Sequence, residues 1–255
     1  MRENSVEIGD CKLRLLEAGR GQTILFLHGI GGAVWTPLLE QLSAERRVIA
    51  PEHPGFAGKL PDWMMSTGDL AFFYLDLLRR LDLGNVHLVG HSIGGWIAAE
   101  IAIRSTGRIR SLSLLAPAGV AVADAAYPDI FLCSPEETLR RQFEDTKLAE
   151  EELQAQGERG IDLTLQNRAA LARLAWNPRW HNPQLPHWLH LIDVPTLLIW
   201  GEDDRIVPFA CHKPFLQEIS GAKLIALPGV GHADALLRPE AACTPLNSFF
   251  REAER

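Results

Sequence analysis

Short apolar runs alternate along this chain with longer stretches in which apolar residues recur at helical spacing. Thr23-Ile24-Leu25-Phe26-Leu27 runs without interruption to His28-Gly29, the pattern of a strand buried on both faces. Further strands are predicted at Arg47–Ala50 before Pro51, Val86–Gly90, Ile109–Leu115, Pro195–Gly201 and Lys223–Leu227. Ser5–Ala18 reads as one or two edge strands with a turn at Gly9-Asp10. Helical spacing predicts helices over Asp69–Leu81 and the Ala- and Ile-rich Ile93–Arg104. Strands alternating with helices predict an α/β fold: a mostly parallel central sheet flanked by helices. Ligands of such sheets sit beyond the carboxyl ends of the strands.

One stretch breaks the alternation. Between about Ala118 and Ile192 no strand is evident, and helical patterns cover Pro135–Gln156 and Asp162–Trp176. The irregular Asn177-Pro178-Arg179-Trp180-His181-Asn182-Pro183 follows. The expected organisation is a core of residues 1–117 and 193–255, with residues 118–192 as a helical insertion over the ligand end of the sheet.

Composition narrows the class. The chain has 255 residues, 47% hydrophobic and 22% charged, which fits a soluble globular protein. The net charge of -7 carries no basic stripe, so neither nucleic acid nor an anionic membrane is an expected partner. Cys11, Cys133, Cys211 and Cys243 are far apart and form no CxxC pair, which points to reduced thiols in a cytoplasmic protein. Met1–Glu7 has no apolar core of a signal peptide, and no apolar run approaches the roughly 20 residues that span a bilayer. His187 and His190 could share a helix face, but no further metal-ligand spacing accompanies them.

The candidate chemistry begins at Gly90-His91-Ser92-Ile93-Gly94. Ser92 follows a strand and opens a helix, with a glycine two residues to either side. A turn that tight has no room for side chains at the glycine positions, and it holds the hydroxyl above the sheet at a helix N-terminus. Ser92 is the candidate nucleophile, and the Ile93 amide faces a developing oxyanion. A serine hydroxyl needs a base. His28, His53, His87, His91, His181, His187, His190 and His212 compete with His232 for that role. His232 is preferred because it lies just past the last strand, downstream of both Ser92 and an acidic turn. That turn, Glu202-Asp203-Asp204, supplies the carboxylate that orients the base, Asp204 being preferred over Asp203. The loop His28-Gly29-Ile30-Gly31-Gly32 suits a second oxyanion donor, the amide of Ile30, with Gly31 as a substitute. Its glycine spacing fits neither a dinucleotide fingerprint nor a phosphate loop.

Together these residues resemble the α/β-hydrolase fold family, in which the order is Ser, Asp, His. The resemblance spans nearly the whole chain and includes Pro54-Gly55-Phe56, Gly201-Glu202-Asp203-Asp204-Arg205-Ile206-Val207-Pro208 and Gly231-His232. In the family the acid stands three residues after the glycine ending its strand, which again favours Asp204. Members commonly carry a helical cap where the insertion falls here. The chain is most similar to small capped esterases and lactonases, including enol-lactone and carbon–carbon bond hydrolases. It departs from the common pattern at Glu52, where Asp is usual, at Ala57, where Gly is usual, and at Leu237, where Glu is usual.

The resemblance implies acyl transfer to water through a Ser92–His232–Asp204 triad, with no metal or organic cofactor. Dehalogenases and epoxide hydrolases of this fold use Asp at the Ser92 position, whereas cofactor-free haloperoxidases and perhydrolases share the triad. The expected substrate is a small ester, lactone or related carbonyl compound. A carbon–carbon hydrolase of a dienone acid is the alternative, with Arg168, Arg173 or Arg179 as candidates for the substrate carboxylate. A ligand-sensing receptor on the same fold is the non-enzymatic alternative, and a homodimer remains open. Trp35, Trp96, Trp176 and Trp180, with Gly31, are candidate pocket walls, and Trp188 is a further cap aromatic.

Overall fold

The computed structural model describes residues 1–123 and 125–255. Among them, eight strands form one sheet: β1 (Arg2–Ile8), β2 (Cys11–Ala18), β3 (Thr23–Leu27), β4 (Arg47–Pro51), β5 (Val86–His91), β6 (Ile109–Leu115), β7 (Thr196–Gly201) and β8 (Lys223–Leu227). Their spatial order is β1-β2-β4-β3-β5-β6-β7-β8. The β1–β2 hairpin joins the sheet antiparallel to β4, and every pairing from β4 to β8 is parallel. This is the α/β-hydrolase fold.

The strand order locates the site. The chain passes from β3 to β4 on one side, then crosses to β5 on the other side of β3. The carboxyl ends of β3 and β5 therefore diverge, and a ligand crevice opens at such a switch point. Residues 28–33 leave β3 at that point, and Ser92 leaves β5 beside them.

Both faces of the sheet are covered, so the interior strands are apolar on both sides. Ile24 and Phe26 of β3 pack with α1 (Pro37–Ser43), while Leu25 and Leu27 face α2 (Thr67–Arg80) and α3 (Ile93–Ala102). All six residues of β5 and of β7 are buried, whereas β8, at the sheet edge, is only partly buried.

Between β6 and β7 lie α4 (Pro135–Arg140), α5 (Thr146–Arg159), α6 (Ile161–Ala175) and α7 (Leu185–Trp188). The single helix expected over Pro135–Gln156 is instead two. Asp145 restarts the helix, its carboxylate accepting from the Lys147 and Leu148 N–H groups. The residues at the break have partners elsewhere: the Gln142 carbonyl accepts from Ala233 N–H at 2.8 Å. Ile130 and Leu139, before and on α4, and Asn167 and Leu171 of α6 share a hollow with Ile30 and Gly31, so this segment faces the carboxyl end of β3.

Three more helices follow: α8 (His212–Glu218) against β8, α9 (Asp234–Leu237), and the terminal α10 (Glu240–Ala253). Helix α10 buries Ala242, Cys243, Leu246, Phe249 and Phe250 beside α1. No helix among the described residues is long and apolar enough to cross a membrane.

Phe250 is fully buried against the His87 ring, 4.4 Å between centroids, with the Arg46 guanidinium 5.1 Å from its ring centre. Phe250→Ala should cost about 3–5 kcal/mol of stability through the cavity it leaves. Urea unfolding should show a lowered midpoint at unchanged slope.

Candidate functional site

Ser92 stands between β5 and α3 with φ 57° and ψ -121°, a conformation that L-residues rarely hold. Neighbouring contacts explain why the flanking positions are glycine. A Cβ on Gly90 would lie 2.3 Å from the Gly94 carbonyl oxygen, and one on Gly94 would lie 2.1 Å from that of Leu27. The backbone of Ser92 is bonded on both sides: its N–H donates to Leu115 O at 3.0 Å, and its C=O accepts from Trp96 N–H and Ala118 N–H at 3.1 and 3.0 Å.

The Ser92 hydroxyl is not spent on capping. Ser66 and Ser134 also open helices, and their hydroxyls accept from the N–H groups of Asp69 and Glu137. Ser92 opens α3 with no side-chain capping bond. Its Oγ is buried and has no partner among the described residues.

Ser92 Oγ and His232 Nε2 make no hydrogen bond to each other, and His232 is anchored from its other side. Its Nδ1 lies 2.7 Å from Asp204 Oδ2, and both side chains are wholly buried. The second Asp204 oxygen accepts from the Ile206 and Val207 N–H groups, each at 2.8 Å. A carboxylate so held makes Nδ1 the donor and turns Nε2 away from it. That Nε2 is also buried and unpartnered among the described residues. Asp203, the other candidate acid, accepts instead from Gly229 N–H at 3.0 Å and so braces the loop leading to His232.

His91 links the two halves. It precedes Ser92, and its Nε2 donates to the His232 carbonyl at 2.9 Å. Burial, and then the neighbouring His232, push the His91 imidazole down to about 3. His91 is therefore a neutral spacer. Across the crevice the 28–33 loop passes close over Ser92: a Cβ on Gly29 would lie 3.3 Å from Ser92 Cβ. The next residue is Ile30. On the other side, Ile93 is the first residue of α3, where helix geometry leaves N–H groups without intrahelical partners. The expected donors thus flank Ser92.

Two hollows adjoin this loop, about 40 and 90 Å³, and Ile30, Gly31, Leu139, Gln142, Gln156 and Arg159 line both. Ser92 is 1% exposed and His232 4%. Gly31 lines both hollows, and Trp35, Trp96, Trp176 and Trp180 line neither. Trp35 sits on the α1 side and donates to Glu40. Trp96 is core, donating to Glu100 from under Gly119. Trp176 is about half exposed and stacks with Arg179, whose guanidinium carbon is 4.0 Å from its ring centre. Trp180 lines a separate hollow of about 250 Å³ with Tyr127, Phe131 and His181. Among the described residues, no three His, Cys, Asp or Glu side chains converge as a metal would need.

Three buried polar residues stand beside the site, of which the sequence marked only Glu52, as a departure from the common pattern. Glu52 accepts from Ala33 N–H at 2.8 Å, Asn167 accepts from Ala57 N–H at 3.0 Å, and Asp234 accepts from Gly231 and Glu144 N–H groups at 2.6 and 3.1 Å. Glu52 had a local signal, an acid directly after the buried strand Val48-Ile49-Ala50. Asn167 and Asp234 had none: Ala57 and Glu144 are remote in the chain, and only Gly231 lies near Asp234.

A family model described as the alpha/beta hydrolase family matches residues 24–244. The chain is 31% identical to the dihydrolipoyllysine-residue acetyltransferase component of the acetoin cleaving system of Pseudomonas putida, over 96% of this chain and 68% of that protein. It is 26% identical to the 2-hydroxy-6-oxo-6-(2'-aminophenyl)hexa-2,4-dienoic acid hydrolase of Metapseudomonas resinovorans, over 97% of this chain and 90% of that one. The solved meta-cleavage product hydrolase of Pseudomonas fluorescens superposes with a TM-score of 0.85 at 22% identity, covering 98% of each chain, which shows the shared fold.

Burial of neutral imidazoles has a consequence for stability. His91, and His53 by burial and then the nearby His28, titrate below the unfolded value of 6.5. Between the folded and unfolded values the unfolded chain binds more protons, so stability is complete above 6.5 and lost as pH falls. Each histidine contributes a slope of about 1.4 kcal/mol per pH unit in that window. Urea unfolding at a series of pH values should give a plateau above about pH 7 and a steep decline below about pH 6.

Proposed function

The chain belongs to the alpha/beta hydrolase family, and on that footing we propose that it is a serine hydrolase with Ser92 as nucleophile, His232 as base and Asp204 as orienting acid. The preferred substrate is a carboxylic ester or lactone. The observation that carries the reading is the free hydroxyl of Ser92. Two other helix-opening serines cap their helices, and this one is held in a rare backbone conformation that keeps it out of that role.

Chemistry follows from the geometry. His232 Nε2 takes the Ser92 proton as Oγ attacks the carbonyl carbon. Asp204 stabilises the imidazolium and keeps the proton of Nδ1 in place. The amides of Ile93 and Ile30 receive the oxyanion. His232 then gives its proton to the leaving alkoxide, and a water deprotonated by the same nitrogen releases the acid. Residues 118–192 act as a cap. The burial of Ser92 and the hollows walled jointly by this segment and the Ile30–Gly31 loop support that role. Substrate enters when the segment moves.

A second reading, hydrolysis of a carbon–carbon bond in a dienone acid, rests on Arg168. Of the three arginines considered for a substrate carboxylate, Arg173 pairs with Asp62 and Arg179 with Asp129. Arg168 lines the hollow beside Ile30 and, among the described residues, donates only to neutral acceptors, the Ile130 and Cys133 carbonyls and the Thr138 hydroxyl. Relatives bearing dienoic acid or dienoate hydrolase names favour the same substrate class.

Ser92→Ala should reduce turnover of p-nitrophenyl acetate by at least about a thousandfold at an unchanged melting temperature. Near-parental turnover by that variant would overturn the assignment. Asp204→Asn should lower kcat on the order of ten-thousand-fold with KM little changed, by removing the acceptor that fixes the His232 tautomer. A panel of p-nitrophenyl esters beside a 2-hydroxy-6-oxo-dienoate separates the readings. Faster turnover of the dienoate, lost in Arg168→Gln, supports the second, and binding without turnover of any member supports a receptor.

A further inference from the structure

The loop that carries the Ile30 amide is clamped at both ends by buried polar groups that take no part in the chemistry described above. At its far end, Glu52 Oε1 accepts from Ala33 N–H at 2.8 Å. One nitrogen of Arg14, NH2, donates both to the Ala33 carbonyl and to Glu52 Oε2, each at 2.7 Å. Ala33 is thus held by its N–H and its C=O, and the two holding groups are bonded to each other. Glu52 is 4% exposed, and its carboxylate is met inside the protein by Arg14 at 2.7 Å and by the buried His28 Nε2 at 3.2 Å rather than by water.

At the near end, the His53 N–H donates to His28 Nε2 at 2.9 Å. The proton of His28 is therefore on Nδ1, which donates to Gly29 O at 2.7 Å. His53 Nε2 donates in turn to the His28 carbonyl at 2.9 Å, and the Tyr74 hydroxyl donates to His53 Nδ1 at 2.5 Å. Gly29 O also accepts from Gly32 N–H at 3.3 Å.

The Gly29 carbonyl matters because of the peptide it belongs to. In a trans peptide the C=O of one residue and the N–H of the next lie in one plane and point opposite ways. Two donors on Gly29 O therefore set the direction of Ile30 N–H. One of them, Gly32 N–H, stays in place only while Ala33, the next residue, is anchored. Glu52 and Arg14 supply that anchor.

We propose that Glu52, with Arg14, is a positioning residue that aims the Ile30 N–H as an oxyanion donor. This rests on the serine hydrolase reading. Glu52 touches no reacting atom. Its effect appears where negative charge develops on the substrate oxygen, and so in the transition state rather than in substrate binding.

The test compares Glu52→Gln, Glu52→Asp and Arg14→Gln with the parent enzyme on p-nitrophenyl acetate. Two reversible ligands are used alongside: an alkyl boronic acid, which forms a tetrahedral adduct on serine, and the matching alkyl amide, which mimics bound substrate. Glu52→Gln should lower kcat by about tenfold to a hundredfold, a fraction of the cost of deleting a donor outright, with KM little changed. Boronate affinity should fall by the same factor as kcat/KM, and amide affinity should hold. Glu52→Asp should recover part of the loss because it restores the charge, and Arg14→Gln should show the same split with a smaller loss. Parental kcat/KM in folded Glu52→Gln, or equal losses of boronate and amide affinity, would overturn the proposal. Should Glu52→Gln fail to fold, Arg14→Gln decides by the same two criteria. If Ser92→Ala is inactive while these variants match the parent, only the role of Glu52 falls. If Ser92→Ala is itself active, the hydrolase reading falls instead.

Discussion

Everything at the site depends on how closely α3 passes over the ends of β3 and β5. The Leu27 carbonyl would lie 2.1 Å from a Cβ on Gly94, and the Gly94 carbonyl 2.3 Å from one on Gly90. No side chain fits at either position. That contact brings the first turn of α3 against the 28–33 loop, and it forces Ser92 into its rare backbone conformation. Such a conformation costs on the order of 1–3 kcal/mol and persists only where its surroundings over-determine it. Here the backbone bonds of Ser92 to Leu115, Trp96 and Ala118 do so. The strain keeps the hydroxyl from its ordinary work of capping a helix.

The base loop is tied to a different part of the molecule. Ala233 N–H donates to Gln142 O, and Asp234 accepts from Glu144 N–H, so the residues after His232 are bonded to the break between α4 and α5. Arg205, next to Asp204, pairs with Glu144 at 3.0 Å. A Cβ on Gly231 would lie 2.7 Å from the Glu144 nitrogen, so the close fit again excludes a side chain. The helical segment therefore touches the site from two directions, at the Ile30–Gly31 loop through α6 and at His232 through residues 142–144. Movement of this segment away from the sheet would loosen the loop that carries the base.

Buried polar groups around the site are mostly paired, which makes the unpaired ones informative. Glu52, Arg14, His28, His53 and Tyr74 satisfy one another in a low-dielectric interior, where an unmatched charge or hydrogen-bonding group is costly. Among the described residues, Ser92 Oγ and His232 Nε2 are buried and unpartnered, as are the neighbouring His91 Nδ1 and Asp234 Oδ1. Unsatisfied buried groups are expected where a protein keeps atoms free for a substrate.

The sequence by itself determined the period and order of the elements. Apolar runs bounded by turn residues became β3, β5, β6, β7 and β8, and the glycine spacing around Ser92 marked the strand-to-helix turn. Those signals are local, because periodicity and turn sterics act within a few residues. The choice of partners was settled only in the folded chain. Asp204 rather than Asp203 meets His232, Arg168 rather than Arg173 or Arg179 is left without a carboxylate among the described residues, and Trp96 turns to the core instead of the crevice. The expected Pro135–Gln156 helix breaks because residues around the break bond to the base loop about 90 positions later. In each case neighbouring residues of similar chemistry differ only in what distant segments bring to them. Burial and long-range hydrogen bonding make that distinction, and neither is written in local pattern.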